Sequence, residues 1–114
     1  MPVKININKA AVRRHAKEAW DKVLPTLSEE VLKDCNYYAK EDTGALIASS
    51  QIASRLAEGT LTWSTPYAAR QYYEIRTASH DQNPNATWRW CEAAKRKYKE
   101  KWRKQAEKLM EENL

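Results

Sequence analysis

An α+β domain is predicted for this 114-residue chain, and three observations predict it. Apolar residues recur every three to four positions in a long segment near the N-terminus and again near the C-terminus, which is the helical period. Between them, Leu46 to Ser64 alternates with period two, the strand period. Gly44, Gly59 and Pro66 bound that alternation and supply the turns and the stop. The expected architecture is a long N-terminal helix, kinked near Pro25, and a long C-terminal helix, both packed on a small antiparallel β-sheet. One domain over residues 1–114 fits the length, which buries one modest core.

Val3 to Ile7 alternates apolar and polar residues and predicts a short strand. Asn8 then caps a helix whose stripe is Val12, Ala16, Trp20, Val23, Leu27, Val31, Cys35 and Tyr38. The stripe stays in phase across Pro25, so a kink or a local restart is expected there; the box Thr26-Leu27-Ser28-Glu29 is the competing restart. Asp42-Thr43-Gly44 breaks the helix. A hairpin is expected next: Leu46 to Arg55, a turn at Glu58-Gly59, and a return strand Thr60 to Ser64. Leu46, Ala48, Ser50 and Ile52 lie on one face, with Ile47, Ser49, Gln51 and Ala53 on the other. Pro66 stops the return strand and Thr65 caps a short helix at Tyr67 to Tyr72, while Tyr73 to Arg76 reads equally as helix or strand. Thr77 to Asn85 is a polar loop broken by Pro84. The final helix, from about Ala86 to about Glu112, carries Trp88, Cys91, Ala94, Tyr98, Trp102, Ala106 and Leu109 at spacings of three and four. At roughly 40 Å it exceeds the roughly 35 Å breadth of a compact chain of this size, so its end is expected to protrude or to lie on another subunit.

Composition narrows the function classes. Hydrophobic content is 42%, with five Trp, six Tyr and no Phe, so the aromatic volume sits in side chains with polar tips, which suit interfaces and domain edges alike. The uncharged stretch Gly44 to Ser54 is too short to span a bilayer, and the N-terminus has no apolar signal-peptide core, so cytoplasmic synthesis is expected. Cys35 and Cys91 lack Cys-x-x-Cys spacing and read as reduced, partly buried thiols. His15 lies among Arg13, Arg14 and Lys17, and His80 beside Asp81, neither with the partners of a relay. Two glycines cannot build a phosphate-cradling loop, and no His or Cys cluster has metal-ligand spacing. Neither catalysis nor a cofactor, metal or small-molecule substrate is expected.

The net charge of +5 is concentrated late in the chain. Arg89, Lys95, Arg96, Lys97, Lys99, Lys101, Arg103 and Lys104 face only Glu92 and Glu100, and the sign reverses at Glu107, Glu111 and Glu112. A solvated helix face with Glu92–Arg96 and Glu100–Lys104 pairs explains this at least as well as a nucleic-acid patch.

Four strings in order carry a family resemblance: Glu41-Asp42-Thr43-Gly44-Ala45-Leu46; the run from Leu61-Thr62-Trp63 through Pro66-Tyr67-Ala68 to Tyr72-Tyr73-Glu74; Asn83-Pro84-Asn85-Ala86-Thr87-Trp88; and Trp90-Cys91-Glu92-Ala93-Ala94-Lys95. Together they resemble the minor capsid proteins of tailed phages and prophages of Gram-positive bacteria, a branch of the head–tail connector and tail-completion proteins. The wider superfamily's Glu-x-Gly-Thr is replaced here by Glu74-Ile75-Arg76-Thr77. The resemblance implies a structural subunit that joins head to tail or completes the tail, in a homo-oligomeric ring, a hexamer by family resemblance, with adjacent neck and tail proteins as partners. It places the protein in the virion neck, and in the host cytoplasm before assembly.

A closed ring needs two different surfaces on each subunit. The interface candidates are Ile47 and Gln51 on the hairpin's second face; Trp63, Tyr67, Arg70, Tyr72 and Glu74; Trp90, which is off the apolar stripe; and Trp102, Arg103 and Leu109 on the far half of the last helix. The loop around His80 to Asn85 is a further candidate surface. For Tyr67 and Tyr72, hairpin packing weighs equally with an interface role. The alternative function is a small basic DNA-binding module that tracks phosphates through Arg89, Lys95, Arg96, Lys97, Lys99 and Lys101. Against it, Trp88, Tyr98 and Trp102 fall on the stripe assigned to the core, and specific DNA binding is not expected.

Overall fold

The computed structural model describes residues 2–6, 17–40, 44–74 and 83–113. The expected cap at Asn8, the stripe positions Val12 and Ala16, both histidines and most of the polar loop lie outside them. In chain order the elements are β1 (Val3–Asn6), α1 (Lys17–Tyr37), α2 (Ala45–Ala53), a 3-10 turn (Leu56–Glu58), β2 (Thr60–Trp63), α3 (Ala68–Tyr73) and α4 (Trp90–Asn113). This is the α+β class expected, with long helices near both ends and a two-stranded antiparallel sheet.

Helix α1 runs on through Pro25, so the restart at Thr26 is not used. A proline inside a helix removes a ladder hydrogen bond and costs about 3 kcal/mol. Here the stripe holds on both sides of it: Trp20, Val23, Leu24, Leu27, Val31, Leu32 and Cys35 are all buried. The C-terminal carbonyls of α1 are met from later in the chain, because the Asn83 amide donates to the Tyr37 and Ala39 carbonyls at 2.9 and 2.7 Å and the Thr87 N–H to the Tyr38 carbonyl at 3.0 Å. Asn83 is thus a helix cap supplied at long range, which gives the Asn-Pro string a structural role.

Helix α4 packs antiparallel on α1: Tyr98 meets Tyr38, with ring centroids 6.4 Å apart, and Lys101 and Trp102 meet Asp34. The expected protrusion is corrected here. About 36 Å of α4 lies beside about 32 Å of α1, and the molecule measures 49 × 24 × 19 Å, not the compact ball that the breadth estimate assumed. Trp102, Leu109 and Met110 are half-buried against the chain's own core.

The sheet is the second correction. The expected strand Leu46 to Arg55 is helix α2, and the partner of β2 is β1, with Val3 opposite Trp63 and Ile5 opposite Leu61. Only the Arg55–Thr60 bridge remains of the hairpin. Leu46 and Ser50, the buried residues of α2, are four apart, so the segment also carries a helical period. Alanine at 45, 48 and 53 favours the helix. Ser49 and Ser50 donate their hydroxyls to the Leu46 and Ile47 carbonyls, at 2.6 and 2.7 Å, and so do not compete for the helical ladder. Gly44, at φ 81°, starts the helix in the left-handed region that glycine enters freely. Two serines then serve the free edge of β2: the Thr62 N–H donates to Ser54 Oγ at 2.9 Å and the Ser64 N–H to Ser49 Oγ at 3.0 Å.

The core centres on Trp63 and Trp90, both 0% exposed. Trp90 meets Trp63 and Tyr72 edge-on at 5.7 and 4.7 Å, a favoured aromatic geometry. A polar thread crosses this core: Trp63 Nε1 donates to Asn36 Oδ1, and Asn36 Nδ2 donates to Ser50 Oγ, each at 2.9 Å.

Candidate functional site

Among the described residues no group of three or more His, Cys, Asp or Glu side chains is placed to hold a metal, and no helix is long and apolar enough to cross a membrane. The thiols of Cys35 and Cys91 are free and buried. A hydrogen bond with Cys35, and then burial, push the Cys91 thiol well above its ordinary range, which is the wrong direction for a nucleophile. Burial and the neighbouring Cys91 push the Tyr72 phenol up as well. What the fold offers instead is surface: two open grooves on different sides of α1, and the outer face of α3.

The first groove, about 750 Å³, lies between α1 and α2 and is lined by Glu29, Lys33, Asn36, Tyr37, Ile47, Gln51 and Leu56, among others. It brings together the two hairpin candidates, Ile47 and Gln51, although on a helix. Beside them Ile52 is 86% exposed. Nine residues of α2 contain no charge, so its outward side, Ala45, Ala48, Gln51 and Ile52, is an uncharged surface.

The second groove, about 660 Å³, lies between α1 and α4. The buried residues Leu27, Val31 and Cys35 form one wall, Cys91, Glu92, Lys95, Lys99, Trp102, Arg103 and Ala106 the other, and Ile5 and Tyr72 contribute from β1 and α3. Of the expected interface residues, Tyr72, Trp102 and Arg103 meet here. Tyr72 is nonetheless a core residue, and so are Trp63 and Trp90. The expectation that Trp90 is free for a partner is therefore corrected. Arg89, at φ 49°, turns the chain immediately before α4 and delivers Trp90 into the core. A non-glycine residue in that region is strained. The Arg89 N–H donates to the Tyr72 carbonyl at 2.7 Å, and its guanidinium lies over the Tyr73 and Trp88 rings at 5.4 and 5.0 Å, which offsets the strain. The glycine-free sequence at Arg89 carried no signal for this turn.

On α3, Ala68 and Tyr72 point inward, whereas Tyr67, Arg70, Tyr73 and Glu74 are exposed. The expected helix at Tyr67 to Tyr72 thus forms one residue later, and it places Tyr67, Arg70 and Glu74 on one outer face. The Glu74 carbonyl accepts from the buried Lys40 ammonium at 2.8 Å, which ties this face to the end of α1. Leu109 is half-buried further along α4 and lines neither groove.

The basic helix does not present one continuous cationic strip. Lys101 is drawn to Glu30 and Asp34 at 2.9 and 3.0 Å, and those hydrogen bonds raise its pKa. Arg103 pairs with Glu100 and Glu107, and Arg89 with Glu92. Lys95, Arg96, Lys97 and Lys99 are exposed, but at about 100° per residue Lys97 points away from Lys95 and Lys99. No unpaired aromatic platform accompanies them among the described residues: Trp90 is core, and Trp88, Tyr98 and Trp102 are partly buried.

The family model described as Minor capsid protein matches residues 3–110 of the chain. No curated protein and no solved structure matches it.

Proposed function

From a chain that belongs to the minor capsid protein family, and is thereby a structural component of the virion, we propose a subunit of the phage neck that joins head to tail or completes the tail by assembling into a ring, without catalysis. The observation that carries this reading is the presence of different contact surfaces on one small domain. The uncharged α2 face with Ile52, and the α3 face with Tyr67 at 66% exposure, leave large apolar side chains in water. Exposed apolar side chains on these faces are available to protein association, the role that contiguous exposed apolar surface commonly has. Unlike faces on one subunit fit the heterologous contact of a closed ring, where one face of a copy meets another face of the next. A hexamer is the ring favoured by the family resemblance. Adjacent neck or tail proteins are the further partners, and synthesis in the host cytoplasm precedes incorporation.

Deleting the gene from an inducible phage and counting particles by electron microscopy tests this. The expected result is filled heads unjoined to tails, or tails of aberrant end structure, rescued by the wild-type chain in trans. Normal tailed particles without the protein contradict the reading.

A further inference from the structure

We infer, on the basis of the ring reading, that the groove between α1 and α2 receives the outer face of α3 from a second copy of this chain. Exposure marks out the two faces. The large apolar side chains left exposed among the described residues fall into two groups: Tyr37 and Ile52 stand at the groove, whereas Tyr67 and Tyr73 stand on α3. The two groups occupy different sides of the domain, because α3 contributes Tyr72 to the other groove of α1. A concave face and a convex one fit a heterologous contact, which repeats from copy to copy.

Charge sets the register. The groove carries three charged side chains, Glu29, Glu30 and Lys33. Glu30 is held by Lys101 at 2.9 Å, which leaves Glu29 and Lys33, both exposed and in no ion pair among the described residues. On α3, Arg70 and Glu74 are likewise exposed and in no ion pair among the described residues. The Glu74 N–H donates to the Arg70 carbonyl and the Gln71 N–H to the Tyr67 carbonyl, each at 2.9 Å, so Tyr67, Arg70 and Glu74 keep helical spacing. Each charge pair is four residues, or about 6 Å, apart along its helix, and the order of sign is opposite in the two. Laid parallel to α1, the α3 of a second copy sets Arg70 against Glu29 and Glu74 against Lys33, with Tyr67 level with Thr26. The groove offers half-buried Ile47 and Leu56 to the phenol ring and exposed Gln51 to its hydroxyl. Tyr73 lies at the margin, where Arg89 of its own chain covers the ring at 5.4 Å. Opposite charges at the rim fix register and orientation around the aromatic anchor.

Like faces make a poorer match. Two α3 faces pair Arg70 with Glu74 only when antiparallel, and that contact closes as a dimer and leaves Tyr37 and Ile52 in water.

The test is sedimentation of purified protein over a range of concentration, with the charges reversed on one face at a time. E29R/K33E reverses the groove and R70E/E74R reverses the α3 face, and circular dichroism confirms that both variants fold. The wild type is expected to associate beyond the dimer, and each variant alone to associate with a Kd raised about tenfold or more. An equimolar mixture of the two should recover wild-type association, because the reversed groove of one matches the reversed α3 face of the other. A wild type that stays monomeric, a mixture that fails to recover, or variants that associate as the wild type does overturns the proposal; the last is the result that a contact of like faces gives, since reversal leaves it self-complementary. Purified protein reports on these two faces alone, so this failure is distinct from failure of the ring reading, which particle counts decide.

Discussion

Replacing Asp34 should loosen the joint between the two long helices. This residue is only 7% exposed, and its carboxylate accepts from Lys101 Nζ at 3.2 and 3.0 Å and from Trp102 Nε1 at 2.6 Å. In Asp34→Ala the indole N–H of Trp102 loses its partner, which costs about 1–3 kcal/mol for a buried donor. The Lys101 bond adds little more, at most about 1 kcal/mol, because that side chain is 46% exposed to screening solvent and retains Glu30 at 2.9 Å. The sum is about 1–4 kcal/mol, or a fall in Tm of roughly 4–16 °C for a chain of this length. Asp34→Asn keeps an acceptor for the indole and loses only the charge, so about 1 kcal/mol and roughly 4 °C are expected. Calorimetry of the three proteins at neutral pH checks this. Equal damage from Ala and Asn, or a shift below about 3 °C for Ala, would refute the assignment of the cost to an orphaned indole.

Three further outcomes are expected. Asn36→Ala leaves the fully buried Trp63 Nε1–H unpaired and should cost about 1–3 kcal/mol by urea unfolding; an unchanged midpoint would show that the thread through Trp63, Asn36 and Ser50 contributes nothing. The raised Cys91 pKa means that the folded state keeps a proton which the unfolded chain releases above about pH 8.5. Its stabilising effect is therefore complete below that pH and declines above it by about 1.4 kcal/mol per pH unit, with Tyr72 adding to the slope above about pH 10. Unfolding at pH 7, 9 and 10 should show the decline, Cys91→Ala should flatten it between 8.5 and 10, and pH-independent stability of the wild type would contradict it. Finally, Ile52→Glu should change stability by no more than about 0.5 kcal/mol, because the side chain already faces water, while reducing incorporation into particles measured by immunoblot; full incorporation would remove the α2 face from the assembly surfaces.

The sequence was most legible where periodicity and burial agree. The stripes of α1 and α4, the strand at Val3 and the short helix after Pro66 all follow from spacing. The hairpin failed because a nine-residue run rich in Ala and Ser satisfies both periods: Leu46 and Ile52 alternate as in a strand, while Leu46 and Ser50 repeat as in a helix. Tertiary context decided between them, since β2 found its partner in Val3–Asn6, more than 50 residues away, and bonded its other edge to serine side chains. The protruding α4 end was an error of shape: the compact-sphere estimate has no room for two long helices laid side by side. Of the interface candidates, Tyr67, Arg70 and Glu74 were readable as one face because a helix sets their spacing. Trp90 was not, because its burial depends on the left-handed turn at Arg89, a backbone state that no residue type there announces. The groove between α1 and α4 joins residues as far apart as Val31 and Lys95, and the groove between α1 and α2 joins separate elements, so pattern within a segment reveals neither.

A cryo-electron microscopy reconstruction of tailed particles, from a phage that encodes the chain with a C-terminal density tag, tests the central claim most directly. The account predicts tag density in a sixfold ring at the head–tail junction, with the α1–α4 pair fitting each repeat. Copies distributed over the head shell, or tag density absent from the junction, would contradict it.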